Sequence, residues 1–428
     1  MSWKKETLGP LLDRNKGKWQ QALQGGKVNG DTLWRGNEGR RLCYRPRLRQ
    51  AGVCRLAMGS GRQAVNFSLV SPLSVVPYAG AEDQMRTSKL IKGRVIYAAP
   101  DRLVLARGVR LFESKDGGDS WTLLTILPIG PILRVKSSIS LLSRLTRSGV
   151  HHFEAGDKQS LVVADKLTFC FDGEVVKPLG ELHGSRPMCL CSKNGVFYYG
   201  EYKINRERLP LHIWRWRAGQ DAWLPVWTFS SVRHIHGVFH DPYTNALWVT
   251  TGDNDSEAAI WRTDDEFKTL RKVAGGSQQV RAVQLLFTSS HVYFGSDTPD
   301  EQNYIYRMDR CGNQLQRLSK VGGSVFYGCK VGECLFFSTA VEPSQTNYTR
   351  HAELWCSLDG SKWKKLSEFR KDIWSMRYFQ YGQLLFPSGP GGAEHLYVYP
   401  FAVTNHGVTL KIEMSAILRQ LAGIEVEY

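Results

Sequence analysis

Apolar residues in this chain come in short runs broken by turns rich in Gly, Asp and Asn, a pattern of strands rather than helices. From about Arg102 to Ile412 the runs recur at roughly 45-residue spacing, the range of propeller blades. In each unit an apolar strand and a short turn lead into a second strand rich in aromatic and β-branched residues. A polar loop follows, then a strand carrying Trp or Tyr, a tight turn and a last strand. Four units show this well: Pro187–Cys191, Gly195–Glu201 and Leu211–Trp216; His234–Val238, Ala246–Asp253 and Ala259–Thr263; Arg281–Leu285, His291–Asp297 and Asn303–Met308; Ser324–Cys329, Cys334–Thr339 and Ala352–Ser357. Weaker units surround Asp101–Leu127, Gly149–Leu179 and Ile373–Tyr399. The pattern predicts an all-β fold, a six- or seven-bladed β-propeller. No long stretch of helical period interrupts the series, and Ser415–Ala422 is the one fair helix candidate.

Residues 1–95 do not fit the repeat and read as a basic N-terminal extension, laid against the propeller or supplying a closing strand to it. The propeller proper is expected over 96–412, with a tail carrying a short helix over 413–428. The formal net charge is +16. Much of that excess lies early, where Lys4, Lys5, Arg14, Lys16, Lys18, Arg40, Arg41, Arg45, Arg47 and Arg49 face few acids. Such a surface attracts polyanions, or serves only as a solvated face. Trp3, Trp19 and Trp34 argue for some packing of the extension. No signal-peptide pattern opens the chain, and the most apolar window, Leu123–Val135, contains Pro128 and Pro131 and is too short to span a bilayer. The nine cysteines are scattered and form no zinc-binding spacing. They read as core thiols of a protein in a reducing, cytoplasmic compartment.

The most specific motif is Ser114-Lys-Asp116-Gly-Gly118-Asp-Ser-Trp121, with a shortened copy at Ser357-Leu-Asp359-Gly360-Ser-Lys-Trp363 and a degenerate one at Thr263-Asp-Asp265 with Phe267. An Asp caps its own turn through backbone N–H groups, Gly supplies positive φ, and the aromatic ring folds beneath. These turns resemble the aspartate boxes (BNR repeats) of the sialidase-like propeller superfamily, where they lie on the outer rim and are structural. The resemblance covers about residues 100–412 and implies the fold. It does not carry over an activity: the Arg-Ile-Pro segment of the sialidases is absent, and their arginine triad has no assignable counterpart.

Chemistry is expected at the axis instead. In a propeller the loops leading into first strands and the loops leaving second strands share one face. The leaving loops bring Glu201, Tyr202, Asp253, Asp297 and Glu342; the leading loops bring Arg186, His234, His236, Arg281, Tyr327 and Trp374, and Arg206 lies nearby. His234 and His236 stand two apart on a strand and so share a side. One could act as a base, and a divalent metal at this pair is the less favoured reading. The carboxylates Glu201, Asp253, Asp297 and Glu342 suit a glycosidase. His236, Tyr202, Tyr327, Arg206 and Arg281 suit a lyase, which needs a base and a cation for a uronate. The leading expectation is therefore a carbohydrate-active propeller, hydrolase or lyase, acting on an acidic or complex glycan. The alternative is a non-catalytic propeller binding a glycan or a protein partner, such as a scaffold in polysaccharide biosynthesis. No nucleophilic triad, phosphate loop or RNA-binding signature is found, which makes nucleic acid an unfavoured partner.

Overall fold

The computed structural model describes residues 89–422 apart from 345 and 348. Residues 1–88 of the basic extension read over 1–95, with its tryptophans, Cys43 and Cys54, lie outside the described residues.

The described chain is a seven-bladed β-propeller, each blade a four-stranded antiparallel sheet. Blades one to six run in simple chain order, their innermost strands being Arg94–Ala99, Val150–Ala155, Leu190–Lys193, His234–Asp241, Ala282–Phe287 and Val325–Val331. Blade seven is composite. Gln383–Leu385, His395–Phe401 and Val408–Glu413 come from the end of the chain, and Lys89–Lys92 pairs with Val408–Glu413 as the outermost strand. The closing strand thus comes from the segment that broke the repeat pattern. Thr409 fastens the joint, its hydroxyl accepting from the Val95 amide at 3.0 Å and donating to the Gly93 carbonyl at 2.8 Å.

The core is a ring of interfaces rather than one centre. Each of seven apolar clusters joins two neighbouring blades, as Leu211, Ile213, Ile235 and Leu247 join blades three and four. Close approach needs glycine at two matched positions. A Cβ on Gly200 would lie 2.2 Å from Ile235 Cγ2, and one on Gly295 would lie 2.4 Å from Val325. The Asp-capped turns at Asp116, Asp265 and Asp359 sit between third and fourth strands. In the first, Asp116 accepts from the Asp119 and Ser120 amides, and the Trp121 indole donates to the Gly118 carbonyl at 3.2 Å. Trp121 then packs on a cluster shared by blades one and seven.

Two features depart from the sequence reading. The helix at the end runs Met414–Ala422, close to expectation. However, blades one and two are joined by an unexpected helical hairpin, α1 (Pro131–Ser138) and α2 (Ser140–Thr146). Pro131 starts α1, where a missing N–H costs nothing. Extended Ile139 separates the helices, and left-handed Arg147 ends α2. The hairpin leaves Ile132, Val135, Ile139 and Leu145 exposed, so no clean helical stripe marks it in the sequence. It is latched to the connection between blades six and seven by buried Arg144, which pairs with Asp372 at 2.6 Å and donates to the Phe379 carbonyl at 2.9 Å. The second departure is a register shift near the start of the inner strands of blades one, two, four, five and six. A bulge there turns the next residue out of strict alternation.

Asp241, at the far end of the strand that begins with His234, is fully buried and pairs with Arg310 of blade five at 2.6 Å. Burial raises the Asp241 carboxyl, but Arg310 and Thr244 outweigh it and hold the group below its ordinary value. Its contribution is present above the unfolded carboxylate value and is lost as pH falls through the lower folded one. Removing the partner strands a buried charge. Arg310→Ala is expected to lose about 3–5 kcal/mol in urea unfolding; a loss under about 1 kcal/mol would refute a structural role for the pair.

Candidate functional site

The residues at the axial face converge around one carboxylate. Asp253 leaves the second strand of blade four and faces the first. It lies 3.2 Å from His234 Nδ1, 3.4 Å from His236 Nε2, 3.1 Å from Arg233 Nε and 3.5 Å from an Arg281 nitrogen. Burial alone would raise its carboxyl; the two histidine hydrogen bonds and the Arg281 charge hold it well below the usual carboxylate range. The bulge between Ile235 and Gly237 lets His236 turn into the interior while His234 faces the mouth. His236 is 3% exposed, and its Nδ1 lies 3.1 Å from the Ala282 carbonyl. Both of its ring nitrogens therefore face oxygen atoms, the Ala282 carbonyl and the Asp253 carboxylate. His234 has Nδ1 on Asp253 and its ring stacked on Tyr202, centroids 4.6 Å apart.

Arg281 continues the network to buried Asp297 at 3.3 Å. Glu342 completes it from blade six. The bridge between Val341 and Gly382 sets Glu342 beside Tyr381, whose hydroxyl acts on its carboxyl. Burial, with the nearby Asp297 charge, pushes the Glu342 carboxyl up to about 7. The face thus holds one carboxylate kept ionised, Asp253, beside Glu342, whose proton is held up to about neutrality, and Asp297, which burial also raises. Such a split marks acid and base assignments.

His234, His236 and Asp253 have donor atoms within 4.8 Å of one another, a span that one cation could bridge. Arg233 and Arg281 already bring positive charge to the same carboxylate. This balance favours Asp253 as the group that orients the histidines.

Beside this cluster lies a cavity of about 930 Å³. Eight of its described lining residues are Lys or Arg and none is Asp or Glu. Arg94 comes from the inner strand of blade one, Arg134, Arg144 and Arg147 from the helical hairpin and its end, and Arg186 from the loop leading into blade three. Tyr202 and Tyr327 also line the cavity, so Tyr202 joins it to the histidine cluster. Burial and the Arg94 charge push His152 down to about 4, although its bond to the Pro187 carbonyl opposes this. His151 is likewise held well below its ordinary value, by burial and by Arg186.

Of the residues expected from sequence, Tyr202, His234, His236, Asp253, Arg281, Asp297 and Glu342 come together, and Arg186 and Tyr327 line the adjoining cavity. Three do not join them. Glu201 is buried within blade three, where it pairs with Lys203 at 2.7 Å and accepts from the His212 amide and the Trp214 indole. These bonds leave it a structural role. Arg206 is exposed on a loop, and its carbonyl serves the Arg208 side chain. Trp374 is 40% exposed and packs on Phe379 without lining the cavity. The expectation missed Arg94, His151, His152 and Tyr381. Arg94, His151 and His152 occupy the same strand starts as His234 and Arg281, and reading the inner strands of blades one and two would have found them. Arg144 and Arg147 had no such signal, because they belong to the helical hairpin.

No protein-family model and no curated protein matches the chain. Solved structures resemble it at low identity. A chain of the mitotic checkpoint complex is 12% identical, covering 82% of this chain and 98% of its own, with a TM-score of 0.47. Oligogalacturonate lyase in complex with manganese is 9% identical, covering 77% and 92%, with a TM-score of 0.47. A putative TolB from Agrobacterium tumefaciens is 9% identical, covering 59% and 85%, with a TM-score of 0.38. The propeller itself rests on the strand pairing described above.

Glu342→Gln copies the protonated form of this group. It is expected to leave stability unchanged near pH 5 and to stabilise the protein by about 1–3 kcal/mol at pH 8, where the wild type must ionise a buried carboxyl. Thermal melts of both proteins at the two pH values check this; equal differences at both would show an ordinary carboxylate.

Proposed function

We propose that this propeller cleaves an acidic glycan by β-elimination, with His234 as base and Glu342 as acid. The observation that carries the reading is the occupancy of Asp253. Both its oxygens are taken by histidine and arginine partners, so it suits orienting a base rather than attacking a sugar or activating water. Held through Nδ1, His234 keeps Nε2 to take the proton α to a uronate carboxylate. As that C–H bond breaks, its electron pair forms the ring double bond and the bond to the glycosidic oxygen breaks. Glu342, protonated near neutrality, gives the leaving oxygen its proton. Arg147 and Arg186 on the adjoining cavity wall would neutralise the uronate. Both catalytic groups then return to their starting forms by proton exchange with water.

The aspartate-box turns support kinship with the sialidase-type propellers, but their rim position gives them no part in this chemistry. Seven described cysteines are free thiols, which supports a reducing compartment.

The test is a panel of uronate-containing and neutral polysaccharides, read for unsaturated uronate absorbance and for new reducing ends. Absorbance on a uronate substrate is expected, with the rate falling above pH about 7 as Glu342 loses its proton. His234→Ala and Glu342→Gln should each lower kcat by roughly 10²–10⁴-fold. Reducing ends without absorbance would make the protein a hydrolase. Silence in both readouts alongside tight glycan binding would make it a non-catalytic module.

A further inference from the structure

We infer that the basic cavity beside the helical hairpin is a subsite that holds an acidic oligosaccharide through at least two of its negative groups. The inference rests on the proposed reaction only for the choice of a saccharide. The charge argument is independent of it. Arg144 and Arg186 already have carboxylate partners in Asp372 and Asp165. Among the described residues Arg94 and Arg147 have none. Arg94 is the sharper case: its Nε is buried without a hydrogen-bond partner, and the titratable groups around it, the Tyr327 and Tyr399 hydroxyls and the His151 and His152 rings, offer it no negative charge near neutrality. A guanidinium partly withdrawn from water without a counter-charge is disfavoured, and an anion relieves that cost. A concave wall of one sign also concentrates anions from solution.

The size and the remaining lining decide the ligand class. About 930 Å³ is more than one inorganic anion fills, and it lies within the range of small-molecule pockets. A nucleic-acid duplex does not enter a cavity of that size. Ser137, Ser138, Ser140, Ser143 and Ser185 add hydroxyls to the wall, and Tyr202, Tyr327 and Tyr399 add aromatic faces with hydrogen-bonding tips. Charges for acidic groups, hydroxyls for sugar hydroxyls and flat rings between them suit an acidic saccharide. Tyr202 lines this cavity and stacks on His234, so a chain seated here reaches the reactive face.

The experiment measures binding by titration calorimetry in the His234→Ala background, where turnover does not intrude. The probes are a uronic acid hexamer, its carboxyl-reduced neutral counterpart, inorganic phosphate and a short single-stranded oligonucleotide. The charged hexamer is expected to bind at least about tenfold more tightly than the other three, with affinity falling as salt rises. Arg94→Gln and Arg147→Gln should each weaken it by about tenfold, and the pair together by more. Arg94→Lys keeps the charge and should recover part of the loss if Arg94→Gln is poorly folded. Equal binding of the neutral hexamer, unchanged affinity in folded variants, or tighter binding of the oligonucleotide would each overturn the subsite. Binding without cleavage of any uronate polymer would keep the subsite and refute the reaction. Cleavage with an unchanged KM in both arginine variants would do the reverse.

Discussion

Ring closure is the constraint on which the rest of this structure depends. A seven-bladed sheet array has a core only between neighbouring blades, so every apolar cluster needs two blades to exist. Lys89–Lys92 pairs with Val408–Glu413 and turns an open arc into a circle, leaving no unpaired blade face. The joint is made by backbone pairing and by the two hydrogen bonds of Thr409, with Ile91 packed on Leu103 and Tyr397. Because the ring closes, loops from blades far apart in sequence meet on one face. Tyr202, Asp253, Asp297 and Glu342 come from the matched loops of four successive blades, three to six, while Arg144 and Asp372 meet only because the ring closes.

Within that face, electrostatics sorts similar groups into different tasks. Asp253 and Glu342 are both partly buried carboxyl groups leaving second strands. Asp253 is surrounded by two guanidinium groups and two imidazoles and stays ionised. Glu342 has a tyrosine hydroxyl and neighbouring acids, and it holds its proton near neutrality. Charge density at the neighbouring wall is set the same way. Arginines from blade one, the hairpin and blade three gather on a wall whose described lining includes no carboxylate, and burial, with the arginine charges, keeps His151 and His152 neutral. An acid–histidine cluster beside a cationic wall is an arrangement that no single blade could hold.

The hairpin between blades one and two gives this propeller a one-sided mouth. It supplies Arg134, Arg144 and Arg147 to the wall and is fixed to the connection between blades six and seven through Arg144, Asp372 and the Phe379 carbonyl. That latch spans 228 positions of sequence. The inner-strand bulges act in the same direction. They set His236 inward and His234 toward the opening, so that two residues expected to be equivalent face different surroundings.

The sequence by itself determined the blade grammar, the Asp-capped turns and most of the axial acid–histidine cluster. Strand periodicity and turn chemistry are local, and equivalent loop positions in a repeat must share a face. It marked His234, His236, Asp253, Arg281, Asp297 and Glu342 for that reason. The same rule lost Arg94, His151 and His152 because the inner strands of blades one and two carried weak repeat signals. Only the tertiary structure decided that Glu201 serves its own blade, since burial beside Lys203 and the Trp214 indole is not written in its position. Only it placed Arg144 and Arg147 over the channel, because a short helical insertion with no clean apolar stripe leaves no period to read. The division follows from range: what a turn or a repeat imposes within a few residues is legible in order along the chain, and what ring closure brings together from opposite ends is not.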